Sequence, residues 1–302
     1  MSHPIITNKR SVIHQPSEMA MATATLRALA AYDERKEIRG PDYLAEIFLT
    51  EDRVKPLKDP AARQWIMQNR ITPGSYEFMI ARTAFFDQIF RVALEQNTAQ
   101  IVLLGAGYDS RPYRFKHLIQ ETRIYELDAP PTQNRKKDML ERTATVISDQ
   151  VVLIPIDFSQ ENLTSVLLTA GFSEFKPAVF IWEGVTYYLS SEVIDSTLSS
   201  IGALSATGSM ICFDFASLSM EAFNQKEVRQ LREKMKTNHP AEQTHFGIPQ
   251  GTLARFLDER GFKLVECVSP SEMEARYLTL RDGTVIGSVP SLFSLAQAIV
   301  NK

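Results

Sequence analysis

The run IVLLGAGYDSRPYRF, from Ile101 to Phe115, constrains the fold of this chain more than any other stretch. It begins with apolar residues that end at Gly105 and Gly107, which is typical of a buried strand in a parallel sheet. Glycines at such a break let the backbone approach a ligand where a side chain would collide. We therefore expect a strand that leads into a ligand-binding turn.

A second strand-like run, Arg123 to Leu127, ends in Asp128, which lies 21 residues beyond Gly107. In nucleotide-binding α/β folds, a carboxylate about 20 residues beyond the glycine turn holds a ribose hydroxyl. The spacing therefore predicts that the turn and Asp128 bind a nucleoside.

The residues after the turn bear on which nucleoside is bound. The dinucleotide fingerprint needs a third glycine, but Ser110 stands there, and Asp109 would place a negative charge beside a diphosphate. Both features are compatible with S-adenosylmethionine, a nucleoside without phosphate. They weaken the case for a nicotinamide oxidoreductase, but that function stays open as an alternative.

Further apolar runs end in acids, at Asp157, Glu183 and Asp214, at intervals close to the size of a βαβ unit. Helix-like stretches lie between them. This alternation predicts an α/β fold with a mainly parallel sheet and helices on both faces. Because ligands bind outside the carboxyl ends of such strands, we expect the acids to line one crevice.

The chain divides into a helical N-terminal cap, residues 1–72, and a nucleoside-binding domain, residues 73–302. Within the domain, a variable insertion at about 217–250 is expected to act as a lid. We also expect a helix from Met19 to Ala31 capped by Ser17, a charged link from Thr50 to Asp59, a long helix from Pro73 to about Gln96, a charged helix from Ser219 to Lys236, strand-like structure from Arg281 to Val289, and a short helix at the C-terminus.

Arg82 lies in an apolar stripe of the long helix, with Phe78, Phe85 and Ile89. A buried arginine is costly unless a carboxylate meets it. Two interpretations follow: a structural salt bridge, or a contact to the carboxylate of a ligand.

Composition excludes several classes of protein. The net charge is −3, so no basic excess points to nucleic acid. The N-terminus lacks an export signal and no run is long enough to span a membrane, so we expect a cytoplasmic protein. Cys212 and Cys267 are expected to be buried free thiols. His3, His14 and His117 show no metal-ligand spacing, and we expect no metal.

The chain resembles the leucine carboxyl methyltransferase family, which comprises class I, Rossmann-like O-methyltransferases that depend on S-adenosylmethionine. The resemblance covers roughly Met19 to Phe262 and rests on several motifs. These are TATLRALAAYDE, GPDYLAEIFLTED, ARTAFFD, LLGAGYDSRPYRF, YELDAPPTQNRKK, PIDFSQ, WEGVTYYLSSE and FGIP.

The resemblance implies a role for each residue that matches a family motif. The implied cofactor contacts are Arg82 to the carboxylate, Gly105 and Gly107 to the methionine portion, Asp128 to the ribose, Asp157 and Phe158 to the adenine, and Glu183 to the methionine amino end. Tyr188 would face the pocket beyond and is the candidate catalytic residue there. Phe158 departs from the leucine that is commonest in the family, but it keeps an apolar contact.

The methyl acceptor is less constrained. A carboxylate is ionised at neutral pH and needs no base, whereas a phenol or other hydroxyl needs one. His239 and His245 are the candidate bases in the expected lid, and surface positions are the simpler interpretation for both. We therefore expect a carboxylate acceptor on a small molecule or peptide. Two alternative functions stay open: a hydroxyl methyltransferase with a histidine base, and a protein that binds the cofactor without catalysis. The oligomeric state also stays open.

Overall fold

The computed structural model describes residues 13–218 and 245–301, and within them eight strands form one sheet. The strands are β1 (Gln100–Leu104), β2 (Arg123–Asp128), β3 (Val151–Pro155), β4 (Ala178–Trp182), β5 (Met210–Leu218), β6 (Ile248–Pro249), β7 (Phe262–Val268) and β8 (Phe293–Val300). Their order across the sheet is β3-β2-β1-β4-β5-β8-β7, with β6 beside the end of β5. Strands β1 to β5 pair in parallel, and β8 is antiparallel to both neighbours. The predicted mainly parallel sheet is confirmed.

Helices connect the strands and precede them. Those in the described residues are α1 (Glu18–Ala31), α2 (Glu51–Leu57), α3 (Pro60–Asn69), α4 (Ser75–Glu95), α5 (Arg111–Arg114), α6 (Pro130–Arg142), α7 (Leu163–Thr169), α8 (Ser191–Leu204), α9 (Leu253–Asp258) and α10 (Pro270–Tyr277). Short 3-10 turns cover Ala45–Phe48, Lys116–Leu118 and Thr186–Tyr188.

Both faces of the sheet are covered by helices. Successive residues of a strand point to opposite sides, so alternate residues of β1 enter two different cores. Ile101 and Leu103 of β1 enter one core with α1 and α4. Val102 and Leu104 enter the other core with α7, α8 and α9. The N-terminal helices thus share a core with the sheet, and the division of the chain at residue 72 stays a prediction.

The N-terminal helices differ from the prediction in one place. Ser17 caps α1 as expected, since its hydroxyl accepts a hydrogen bond from the N–H of Ala20 at 2.9 Å. The predicted link from Thr50 to Asp59 is wrong, because α2 occupies most of it. The acidic residues Glu51 and Asp52 lie in the first turn of α2, where negative charge favours the helix dipole.

The C-terminus differs more strongly. The predicted short helix is wrong, because the residues from Phe293 onward form β8 between β5 and β7. Most of β8 is buried, and a strand buried on both faces loses the polar–apolar alternation that would identify it. The segment Arg281–Val289, predicted as strand-like, has an isolated bridge from Val285 to Thr279 instead.

Most of the predicted lid, including the helix Ser219–Lys236 and His239, lies outside the described residues. Both cysteines are free thiols, and Cys212 is buried as predicted. Cys267 is exposed, against the prediction, because it lies on the outward side of β7. Within the described ranges, no helix is long and apolar enough to cross a membrane.

Candidate functional site

A cavity of about 430 Å³ lies at the carboxyl ends of the parallel strands, beneath α1 and beside α4. This volume is in the range of small-molecule sites. Residues of the loops after β1 to β4 line it, as do residues of the two helices and of β8. Among them are Tyr188 and all the predicted cofactor contacts: Arg82, Gly105, Gly107, Asp128, Asp157, Phe158 and Glu183.

The glycine turn after β1 forms the floor of this cavity. Gly105 and Gly107 have φ angles of 68° and 45°, in the left-handed region that favours glycine. A Cβ on Gly105 would lie 2.5 Å from Cγ2 of Val185, which follows β4. The turn therefore needs glycine both for its conformation and for its contact with the neighbouring loop.

Asp128 fixes the turn from the end of β2. Its Oδ2 accepts a hydrogen bond from the N–H of Gly107 at 2.5 Å, and its Oδ1 accepts one from Ala129 at 2.7 Å. The 21-residue spacing thus reflects a direct contact. A carboxylate oxygen has a second lone pair, so these bonds leave capacity for a ligand hydroxyl.

Asp157 and Phe158 follow β3 at the next position along the sheet edge. Oδ1 of Asp157 accepts hydrogen bonds from the N–H and the hydroxyl of Ser159, at 2.9 and 2.6 Å. Phe158 is partly buried and packs against the core that contains α7. The pair presents one carboxylate and one aromatic ring to the cavity.

Glu183, directly after β4, is surrounded by three arginines. Its Oε1 lies 2.9 Å from Nη2 of Arg27 and 3.0 Å from Nε of Arg82, and its Oε2 lies 2.8 Å from Nη1 of Arg111. The three guanidiniums come from α1, α4 and α5. Glu183 therefore joins the roof of the cavity, its side and the segment after the glycine turn.

These arginines determine the charge state of Glu183. Burial alone raises the pKa of the carboxyl, but Arg111, Arg27 and Arg82 together outweigh burial and hold the pKa of Glu183 far below its ordinary value. The side chain is therefore an anion at neutral pH.

Arg82 has two further partners in the protein. Its Nη1 donates to Oδ2 of Asp214 in β5 and to the hydroxyl of Tyr187, each at 3.1 Å. Asp214 also accepts from the N–H of Gly184 at 2.6 Å. A structural salt bridge thus explains why Arg82 can be buried. Arg82 also lies in the cavity wall, as a contact to a ligand requires. Both interpretations stay compatible with this geometry.

A second layer of charges supports the first. Arg111 also pairs with Asp87 and Asp109, at 2.8 and 2.6 Å, and Arg114 pairs with Asp87 at 2.7 Å. Asp42 lies 3.2 Å from Nε of Arg114. We call the whole group the buried charge cluster; its members are Arg27, Arg82, Arg111, Arg114, Asp42, Asp87, Asp109, Glu183 and Asp214.

Sequence reasoning missed the roles of Arg27 and Arg111. Arg111 follows the glycine turn in the run DSRPYR. This position could have identified it, because a charged residue next to a ligand-binding turn is a candidate for the site. Arg27 lies in an alanine-rich helix, and nothing local distinguishes it from a surface arginine.

The two predicted catalytic residues are placed differently. Tyr188 is partly buried, lines the cavity and packs edge-on against Tyr187, with ring centroids 4.7 Å apart. His245 is exposed and lies outside the cavity lining, although its N–H donates to the carbonyl of Tyr187 at 2.7 Å. Its imidazole is therefore not positioned to serve the cavity in this arrangement.

Sequence comparison identifies relatives of this chain. A family model described as leucine carboxyl methyltransferase matches residues 20–202. A Mycobacterium avium protein, named provisionally as an S-adenosyl-L-methionine-dependent methyltransferase, is 31% identical over 73% of this chain and 73% of its own length. A Streptomyces coelicolor protein with the same kind of name is 30% identical over 65% of this chain and 68% of its own length.

Solved structures share the fold at low sequence identity. A DUF574 family protein from Streptomyces avermitilis aligns with a TM-score of 0.61 and 12% identity, over 96% of this chain and 99% of that one. A Thermobifida fusca protein, described provisionally as a methyltransferase, aligns with a TM-score of 0.57 and 14% identity, over 95% and 96% of the two chains. These likenesses concern the fold alone.

The variant Glu183→Gln tests the charge cluster. It should lower the free energy of unfolding at pH 7 by about 3–5 kcal/mol, because three buried guanidiniums lose their shared carboxylate. Urea denaturation measures the loss, and Glu174→Gln, at an exposed position, is the control and should leave stability unchanged.

The same pair of proteins gives a pH dependence. Because the folded pKa of Glu183 is depressed, the stabilisation is present above the unfolded value of about 4.3 and is lost as pH falls through the folded pKa. The difference between wild type and Glu183→Gln should thus stay constant from about pH 8 to about pH 5 and shrink below about pH 4. An equal difference at every pH would contradict an ionised Glu183.

Proposed function

Because this chain belongs to the leucine carboxyl methyltransferase family, we propose that it is an S-adenosylmethionine-dependent O-methyltransferase that methylates a carboxylate. One observation carries the proposal: the glycine turn, Asp128 and the Arg82–Glu183 pair line a single cavity at the carboxyl edge of the sheet. A nucleoside with a zwitterionic tail needs these three kinds of group together.

The chemistry of the lining supports this cofactor. The oxygens of Asp128 would accept from the ribose hydroxyls, and Asp157 with Phe158 would receive the adenine. At the other end, Glu183 offers a carboxylate to the amino group of the methionine portion and Arg82 offers a guanidinium to its carboxylate. Glu183 and Arg82 already form an ion pair, with Oε1 of Glu183 3.0 Å from Nε of Arg82, so a zwitterionic tail would meet the two opposite charges side by side.

The residues of the site would favour methyl transfer mainly by position. Bound S-adenosylmethionine supplies a methyl group on a sulfonium, which a nucleophile takes by in-line displacement. The glycine turn and Asp128 would hold the nucleoside, and α1, which covers the cavity, would exclude water. Orientation of this kind can supply about 7–11 kcal/mol of the barrier, and a dry site favours attack by an anion on a sulfonium.

The lining also supports a carboxylate as the acceptor. A carboxylate needs no general base at neutral pH, whereas none of the described lining residues is a histidine or lysine, and the lining carboxylates are all engaged in hydrogen bonds or ion pairs within the protein. The methyltransferase relatives give no support to a nicotinamide oxidoreductase. A cofactor-binding protein without catalysis would bind S-adenosylhomocysteine and transfer no methyl group to any acceptor.

Asp128→Ala tests the cofactor site. It should weaken binding of S-adenosylhomocysteine by about 1–3 kcal/mol, roughly 5- to 150-fold, because the ribose hydroxyls lose a partly buried acceptor. Isothermal titration calorimetry measures the affinity, and Asp149→Ala, at an exposed position, is the control. Since Asp128 also bonds to Gly107, Asp128→Asn and a melting curve separate a lost contact from a disturbed turn. Unchanged affinity in Asp128→Ala would remove this residue from the site.

Arg82→Met distinguishes the two interpretations of Arg82. If the guanidinium binds the cofactor, the variant should still unfold cooperatively but bind S-adenosylhomocysteine at least tenfold more weakly, by about 1.4 kcal/mol. If stability rises and affinity persists, the guanidinium is purely structural, since apolar replacement of buried ion pairs is often stabilising. Thermal denaturation and calorimetry on the same preparation give both readings.

His245→Ala tests the choice of acceptor. The imidazole is exposed and lies outside the cavity lining, so methyl transfer to a carboxylate should stay within about twofold of wild type, whereas loss of a general base costs about 10²–10⁴-fold. Initial rates with labelled S-adenosylmethionine measure this. A hundredfold drop with unchanged cofactor affinity would favour a hydroxyl acceptor instead.

A further inference from the structure

The two ends of the cavity differ in chemistry. The nucleoside end carries the glycine turn and two aspartates, whereas the end at Arg82 is built from aromatic rings. The rings of Phe78 and Phe293 stack there, with centroids 4.5 Å apart and planes 9° apart. Tyr187 packs against Phe293 at 5.6 Å, and the guanidinium of Arg82 lies 5.3 Å from the Phe78 ring centroid.

Two polar groups at the aromatic end, the hydroxyl of Tyr187 and the guanidinium of Arg82, already have partners in the protein. The hydroxyl of Tyr187 bonds to Asp214 and Arg82, and Nη2 of Arg82 lies 3.5 Å from the sulfur of Met79. Arg27 and Arg82 are the cationic residues in the described lining, and both pair with Glu183. An acceptor with several polar groups would lose water there without regaining hydrogen bonds.

The roof continues the apolar surface. Leu26, Ala22 and Met19 of α1 line the cavity from above. The proposed cofactor would reach from Asp128 to Glu183 and Arg82, so the space left for an acceptor is bounded by these apolar side chains and by the aromatic rings beside Arg82. Apolar surroundings select ligands by the apolar area that they bury.

We infer that the methyl acceptor is a small monocarboxylic acid with an apolar alkyl or aryl body, rather than a polar peptide end. This inference rests on the proposed function. The apolar body packs against Phe78, Phe293 and Met79, and its carboxylate faces the sulfonium.

The transfer step is balanced without a base. One carboxylate oxygen forms a bond to the methyl carbon as the carbon–sulfur bond breaks. The electron pair of that bond moves to sulfur, so the sulfonium becomes a neutral thioether and the acid becomes a neutral methyl ester. No proton is transferred.

The experiment compares acids that differ only in their bodies. Wild-type protein is incubated with methyl-labelled S-adenosylmethionine and butanoate, hexanoate, octanoate, phenylacetate or suberate, and an acetylated peptide ending in leucine is the peptide probe. Suberate matches octanoate in length but carries a second carboxylate at its far end. Ester formation is measured as methanol released by alkali.

We expect kcat/KM to rise by about fourfold per methylene from butanoate to octanoate, the factor for burying one methylene group. Octanoate should exceed suberate at least tenfold, and the peptide should be a poor acceptor. Preference for the peptide or suberate, or no ester from any acid, overturns the inference. Calorimetry with S-adenosylhomocysteine separates the two proposals, because absent binding contradicts the proposed function itself.

Two variants locate the selectivity in the cavity wall. Leu26→Asn, at a partly buried position of the roof, should reduce the ratio of octanoate to butanoate kcat/KM at least fivefold and leave affinity for S-adenosylhomocysteine unchanged. Leu168→Asn, at a surface position in α7, should leave the ratio unchanged. Phe293→Leu provides a second change in the wall, and unchanged ratios in both wall variants would contradict this placement of the acceptor.

Discussion

The structure depends on one buried carboxylate, Glu183, and the three guanidiniums around it. Each guanidinium belongs to a different element: Arg27 to the roof helix, Arg82 to the long helix and Arg111 to the segment after the glycine turn. A buried ion pair is a poor source of net stability, but removal of one partner is costly. The main effect of these ion pairs is therefore to fix how α1, α4, α5 and the end of β4 are arranged. Their net contribution to the stability of the fold is smaller.

The charge balance of the cluster suits the ligand that we propose. Within the described residues it contains five carboxylates and four guanidiniums. Burial raises the pKa of Asp214 and Arg82 lowers it, with burial the larger effect, whereas Glu183 is held as an anion. Because its carboxylates outnumber its guanidiniums, the cluster is compatible with a sulfonium nearby and does not favour a diphosphate, which agrees with the negative charge expected at Asp109.

The sequence predicted the parallel half of the sheet well, because β1 to β4 are short apolar runs that end in glycine or an acid. It failed at β8, where SLFSLAQAIV is buried on both faces and shows no alternation. It also failed at α2, where the charges of EDRVKPL suggested a link. The partners of Glu183 could not be predicted, since Arg27 lies 156 residues away along the chain and only the fold brings them together.

The roof helix gives this architecture a constraint for protein engineers. Neighbouring residues of α1 have separate duties, because Leu26 contributes apolar surface to the cavity whereas Arg27 pairs with Glu183. A chimera that exchanges this helix for that of a relative would have to retain the arginine while the leucine position is free to vary. Variants with altered acceptors could thus be built by exchanging this one helix, provided that the buried ion pair between Arg27 and Glu183 is kept.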